Sequence, residues 1–147
     1  MKALCVRQPW ASLIAMGLKT LEVRSWNIHY RGPLVIAASR RSPPSDDGRV
    51  ACQRLGIDPA ALPAGAAGAT ASLTAARPMR PADEAQAGCP YSAGAYVWER
   101  ELIASFDPPL PMPGQLSLFA PPPAVAQAAK RLIEQRELVQ RRLRRLA

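Results

Sequence analysis

Lys19, Glu22 and Arg24 stand within one short stretch, Gly17-Leu18-Lys19-Thr20-Leu21-Glu22-Val23-Arg24-Ser25-Trp26. An amine, a carboxylate and a guanidinium at this spacing can do two kinds of chemistry. They can hold an anionic or polar ligand, or Lys19 and Glu22 can act as an acid–base pair. A lysine serves as base or nucleophile only when burial or a nearby cation lowers its pKa, and a carboxylate beside it works the other way. On an extended chain Leu21 and Val23 share one face, while Thr20, Glu22, Arg24 and Trp26 share the other. The first face suits a core. The second carries the charges and ends in an aromatic ring. Gly17 suits the position just past a helix end, which leaves Lys19 in a turn where strand parity does not fix its direction. The plainer alternative is a surface hairpin whose Glu/Arg pair is worth only about 0–1 kcal/mol.

The elements around this stretch must be short. The chain has 147 residues, one domain's worth, with 16 prolines and 9 glycines to punctuate it. Strands are expected at 2–6, 20–24, 33–38, 67–74, 95–101 and 115–119. Short helices are expected after Pro9 and over Gly48–Leu55. Arg40 and Arg41 close the third strand, and a loop runs from Ser42 to Asp47. Tyr96, Trp98 and Arg100 fall on one face of the fifth strand. Pro108 to Gly114 reads as a stiff connector. The expected fold is α+β, a small closed or nearly closed barrel of five or six strands flanked by short helices. After Pro121-Pro122-Pro123, residues 124–147 form a basic amphipathic helix. Val125, Ala129, Leu132, Arg136, Val139, Leu143 and Leu146 make its seam. Packing on its own domain, pairing as a homodimer and phosphate binding all remain open for it. The chain thus divides into a domain over 1–119 and a Pro-rich hinge with helix over 120–147.

Net charge is +8, concentrated in residues 1–50 and 124–147. Such an excess attracts polyanions, although an arginine-rich coding bias gives the same composition. Cys5, Cys52 and Cys89 are odd in number and widely spaced, against a disulfide framework and against zinc. His29 is the single histidine. It reads as a loop residue, and no metal site or cofactor is expected. Gly65 and Gly68 lack the lysine and hydroxyl of a phosphate-binding loop. No apolar run approaches the roughly 20 residues that span a bilayer. The expected setting is soluble and cytoplasmic, without a membrane partner.

Four stretches carry a resemblance. They are Lys2 to Ala11 with its Arg7-Gln8-Pro9-Trp10, then Gly17-x-Lys19-x-x-Glu22-x-Arg24, then Tyr30-Arg31-Gly32-Pro33, then Ala37-Ala38-Ser39. Together they resemble an ASCH domain, a family similar in fold to PUA domains. Tyr96-x-Trp98 and Gly114-x-Leu116-x-Leu118-Phe119 are similar to its later strands. The resemblance covers about residues 1–119. It implies a PUA-like barrel and an RNA-related role, with a cleft near the Gly17–Arg24 motif.

The residues agree with binding of RNA or a modified nucleotide. Arg24 and Arg31 offer planar donors. Trp10, Trp26 and Tyr30 offer stacking faces. Arg7, Gln8 and Ser39 fall at neighbouring strand ends. Some proteins resembling ASCH domains hydrolyse acetylated cytidine with a lysine, a threonine three residues on, and a later glutamate; others cut RNA. Lys19 matches that lysine, but Glu22 stands at the threonine's position, and Glu84 is the candidate for the later glutamate. A third reading is a transcription-related adaptor that makes its contacts through the C-terminal helix.

Overall fold

The computed structural model describes residues 1–40 and 43–147, so the expectations for Arg41 and Ser42 lie outside the described residues. The chain runs β1 (Lys2–Val6), α1 (Trp10–Ala15), β2 (Leu21–Arg24), β3 (Gly32–Ala38), α2 (Asp46–Leu55), β4 (Ala66–Pro78), α3 (Glu84–Ala87), β5 (Tyr96–Pro111), β6 (Leu118–Phe119) and α4 (Pro123–Leu146). Single 3₁₀ turns lie at Pro59–Ala61 and Pro81–Asp83. The fold is α+β, a six-stranded sheet curled into a half-barrel with strand order β2-β5-β4-β3-β1-β6. No helix is long and apolar enough to cross a membrane among the described residues.

Strand alternation builds two cores. Leu4, Val6, Leu34, Ile36 and Trp98 point to the inner face, where Ala11 and Ile14 of α1 cover them. Ala3, Val35 and Ala37 point to the outer face, under Val125 and Ala129 of α4. Ala67 belongs to the outer core and Ala69 to the inner one, because the register shifts between them. A third, smaller cluster joins Leu21, Met79, Ala87 and Val97.

Pairing extends β4 and β5 beyond their propensity. They run side by side from Ala66↔Pro111 to Pro78↔Tyr96, which absorbs the expected Pro108–Gly114 connector as far as Pro111. The prolines fit because β2 covers only Tyr96–Glu99, leaving the rest of that side of β5 as an edge. The last strand is shorter than expected. Ser117 takes a φ of 60°, which breaks the alternation, and Leu116 is 95% exposed.

These placements set two contrasting costs. Ile36→Ala, in the inner core, should destabilise the protein by about 2–5 kcal/mol, whereas Leu116→Ala should fall within about 0.5 kcal/mol of wild type. Urea unfolding of both variants checks this.

Candidate functional site

Gly17 ends α1 in the left-handed region, with φ +76°. Its N–H bonds the Ile14 carbonyl, and the Leu18 and Lys19 N–H groups both bond that of Leu13. The chain reverses there, and the Lys19 side chain turns inward. Its ammonium donates to the carbonyls of Leu21 and Ala87. It lies 3.9 Å from Glu22 Oε2 and 5.4 Å from the centre of the Trp10 ring.

Pairing of β2 with β5 places Glu22 opposite Trp98 and Arg24 opposite Tyr96. The charged face of β2 therefore looks toward the inner core, and Leu21 and Val23 look toward the smaller third cluster. The expected parity holds and the Leu21/Val23 face does meet a core, but the larger core lies on the charged side. Glu22 Oε1 is 3.3 Å from Arg24 Nε. Arg24 donates through Nη2 to the Cys5 carbonyl at 3.0 Å, and its guanidinium lies 5.9 Å from the Trp98 ring centre. Trp26 packs edge-on against Trp98, with ring centres 4.6 Å apart.

Arg100 completes the group. It is 8% exposed and donates through Nη1 to the Lys19 carbonyl at 3.3 Å. Its Nε and Nη2 are buried without a hydrogen-bond partner among the described residues, as is Glu22 Oε2. Three cations thus gather round one carboxylate. Burial pushes Lys19 below its ordinary value, and this outweighs the nearby Glu22 charge that raises it. Burial likewise brings Arg100 down to about 10. Such an excess of buried positive charge is unfavourable alone and is relieved by an anion or a set of acceptor oxygens.

Lys19 also forms part of the floor of a cleft of about 880 Å³. Trp10 and Leu18 border it on one side, α2 contributes Asp47 and Arg54, and the segment from Pro81 to Pro90 forms the far wall. Gly88 lets the wall approach Trp10 closely: a Cβ there would come within 2.9 Å of the indole. Asp83 anchors this wall. It accepts two bonds from Arg77, at 2.7 and 2.9 Å, and one from the Arg80 N–H at 2.8 Å. The Arg77 guanidinium holds the Asp83 carboxyl well below the usual range.

Of the residues expected at the site, Lys19, Glu22 and Arg24 come together, with Trp10 beside Lys19 and Trp26 linked through Trp98. Glu84 lines the cleft and accepts from the Tyr91 N–H. Glu22, Arg24 and Trp26 stand behind Lys19 and do not line the cleft, and neither do Arg7, Gln8, Tyr30, Arg31 and Ser39. Arg7 donates to the Pro43 carbonyl, and Gln8 bonds Ser12 and the Pro63 carbonyl. Tyr30 donates to the Pro33 carbonyl, and Arg31 to those of Ile28 and Tyr30. Ser39 is tied through its backbone to Val6 and Gly65. The sequence reading missed Arg100, Arg54 and Cys89. For Arg100 the signal was its parity with Trp98. Among the described residues no group of three or more His, Cys, Asp or Glu is arranged to hold a metal ion.

The ASCH domain family matches residues 4–110. Activating signal cointegrator 1 of Homo sapiens is 52% identical over 40 residues, which is 27% of this chain and 7% of that protein. The Mus musculus protein of the same name is 50% identical over 40 residues, with the same shares. The chain therefore matches only a small part of the length of these relatives.

The charge excess makes the cluster asymmetric. Glu22→Gln leaves the buried Lys19 and Arg100 and the half-buried Arg24 without their carboxylate and should cost about 3–5 kcal/mol, whereas Lys19→Met removes surplus charge and should cost clearly less. Chemical denaturation of both variants checks the order. Asp83 sets a pH dependence. Its folded pKa is depressed, so its stabilisation is complete above the ordinary aspartate value of about 3.9 and is lost as pH falls below it. Asp83→Asn should flatten that acid limb in urea midpoints measured against pH.

Proposed function

Because the chain belongs to the ASCH domain family, whose fold is PUA-like, we propose that it is a binding module for single-stranded RNA or a modified nucleotide. The family and the similarity to activating signal cointegrator 1 fit an RNA-related or transcription-associated role. One observation carries the finer reading: the buried surplus of positive charge reaches the floor of the cleft at Lys19, directly beside the Trp10 ring. A base lies against Trp10, and its acceptor oxygen or adjoining phosphate meets the Lys19 ammonium. Glu22 holds Lys19 and Arg24 together, and Arg100 adds positive potential from beneath. Arg7, Gln8, Tyr30, Arg31 and Ser39 fall outside this reading.

A hydrolase that uses Lys19 is the second reading, favoured by the lowered pKa of that amine. Against it, the amine is engaged with the carbonyls of Leu21 and Ala87. The hydroxyl nearest in sequence, on Thr20, is an exposed residue outside the cleft lining.

An NMR titration with a nucleotide panel that includes acetylated cytidine separates the two. A binding module should show chemical-shift changes around Trp10 and Lys19 and no product. Trp10→Ala should weaken binding by about 5–150-fold, the worth of one base–aromatic stack. Lys19→Met should weaken it about tenfold, and Arg31→Ala should leave it unchanged. Turnover of acetylated cytidine by wild type that disappears in Lys19→Met would overturn the module in favour of the enzyme.

A further inference from the structure

Past Arg136, α4 becomes exposed, with Val139 and Gln140 still flanking an open groove over Ile103 and Ala104 of β5. Val125 and Ala129 are buried on the outer face. Arg136 donates to the carbonyls of Leu102 and Ile103 and pairs with Glu101 at 2.9 Å. Every residue from 137 to 147 is exposed. At 1.5 Å per residue, this exposed part is an arm about 16 Å long. It carries Arg141, Arg142, Arg144 and Arg145, none of them in an ion pair among the described residues.

The base of the arm adjoins the site. Leu102, which receives Arg136, is two residues past Arg100 on β5. Its Cδ2 lies 3.8 Å from where a Cβ would stand on Gly17, two residues before Lys19. The base of the arm therefore stands close to the segments that carry Lys19 and Arg100.

The distribution of charge selects the occupant. At about 100° per residue, the four arginines sweep about 160° of the helix circumference. The unbroken apolar stripe of Val139, Leu143 and Leu146 covers only about 60°, narrower than the roughly 100° of a helix that buries one face, and the exposed Leu138 is cut off from it by Arg142. A bilayer would find too little apolar surface. A second copy of the arm would bring eight arginines together with only Glu134 and Glu137 of each chain to offset them. A phosphodiester strand meets the wide arc and needs no apolar face.

We propose that this arm is a second nucleic-acid site, in which Arg141, Arg142, Arg144 and Arg145 hold the phosphates of a single-stranded RNA, one unit of which occupies the cleft. The proposal rests on the function above only for the class of ligand. The arm contributes affinity without reading sequence, because its contacts are to the backbone.

The test uses the full chain with Arg141→Gln, Arg142→Gln, Arg144→Gln and Arg145→Gln combined, since glutamine keeps helix propensity while removing charge. Single-stranded RNAs of about 12 and about 3 nucleotides are titrated at several salt concentrations. The variant should bind the longer RNA more weakly, with a salt slope shallower by about 0.7 per lost phosphate contact, while binding the trinucleotide as wild type does. Between about 50 and 200 mM salt, the wild type should then lose up to roughly 50-fold more affinity than the variant. An unchanged affinity and slope for the longer RNA overturns the proposal. So does a dimer by light scattering that Leu143→Glu dissolves, or arginine-dependent binding to phosphatidylserine vesicles with no arginine-dependent RNA slope. Trp10→Ala separates this proposal from the cleft reading. If it leaves both RNAs bound as before while the arginine variant loses the longer one, the cleft reading fails and the arm stands.

Discussion

The structure turns on an amine held where water hardly reaches. A buried ammonium without acceptors costs several kcal/mol, so its surroundings must supply them. For Lys19 these come from separate segments: a carbonyl at the start of β2, a carbonyl at the end of α3, and the Glu22 carboxylate. One side chain thereby fixes how the α3 segment sits against the sheet, and with it the far wall of the cleft. Glu22 extends the constraint to Arg24, which reaches the Cys5 carbonyl of β1. Two sheet strands distant in the strand order and a short helix are thus tied through one polar cluster.

Much of this was legible in the sequence, for physical reasons that can be named. The strands β1 and β3 follow from short apolar runs, and the near absence of alternation in β3 fits its burial on both faces, with Val35 and Ala37 as enclosed as Leu34 and Ile36. The Gly17 turn follows from a conformation that glycine adopts freely. Alternation placed Glu22 with Arg24, and Arg100 with Trp98. What alternation cannot say is which face of a sheet will be curled inward. That depends on strand order, and the place of β2 beside β5 is a long-range pairing with no local signal. Hence the deeper core lay on the charged side of β2. Arg100 went unrecognised as a partner for the same reason, since it approaches Lys19 only through that pairing.

The lengths of β4 and β5 show tertiary context overriding propensity. An alanine-rich segment and a proline-rich one are both poor strands in isolation. Alanine succeeds here because a crowded interior needs small side chains: Ala67, Ala69 and Ala71 are fully buried between helix and sheet layers. Proline succeeds because its neighbour on one side is missing. The adjoining helix α4 then serves two ends. Its first half closes the outer core and its second half is exposed along its length beyond Arg136.

The open side of β5 has a bearing on how the protein behaves when crowded. Beyond Glu99 a strand this long presents backbone groups to any passing chain, the usual template for intermolecular sheet growth. Here that growth is blocked at both ends. The carbonyls of Leu102 and Ile103 are already taken by a guanidinium, and Pro108, Pro109 and Pro111 have no N–H to offer an incoming strand. The half-barrel can thus remain unclosed, leaving its rim free, without becoming a seed for aggregation.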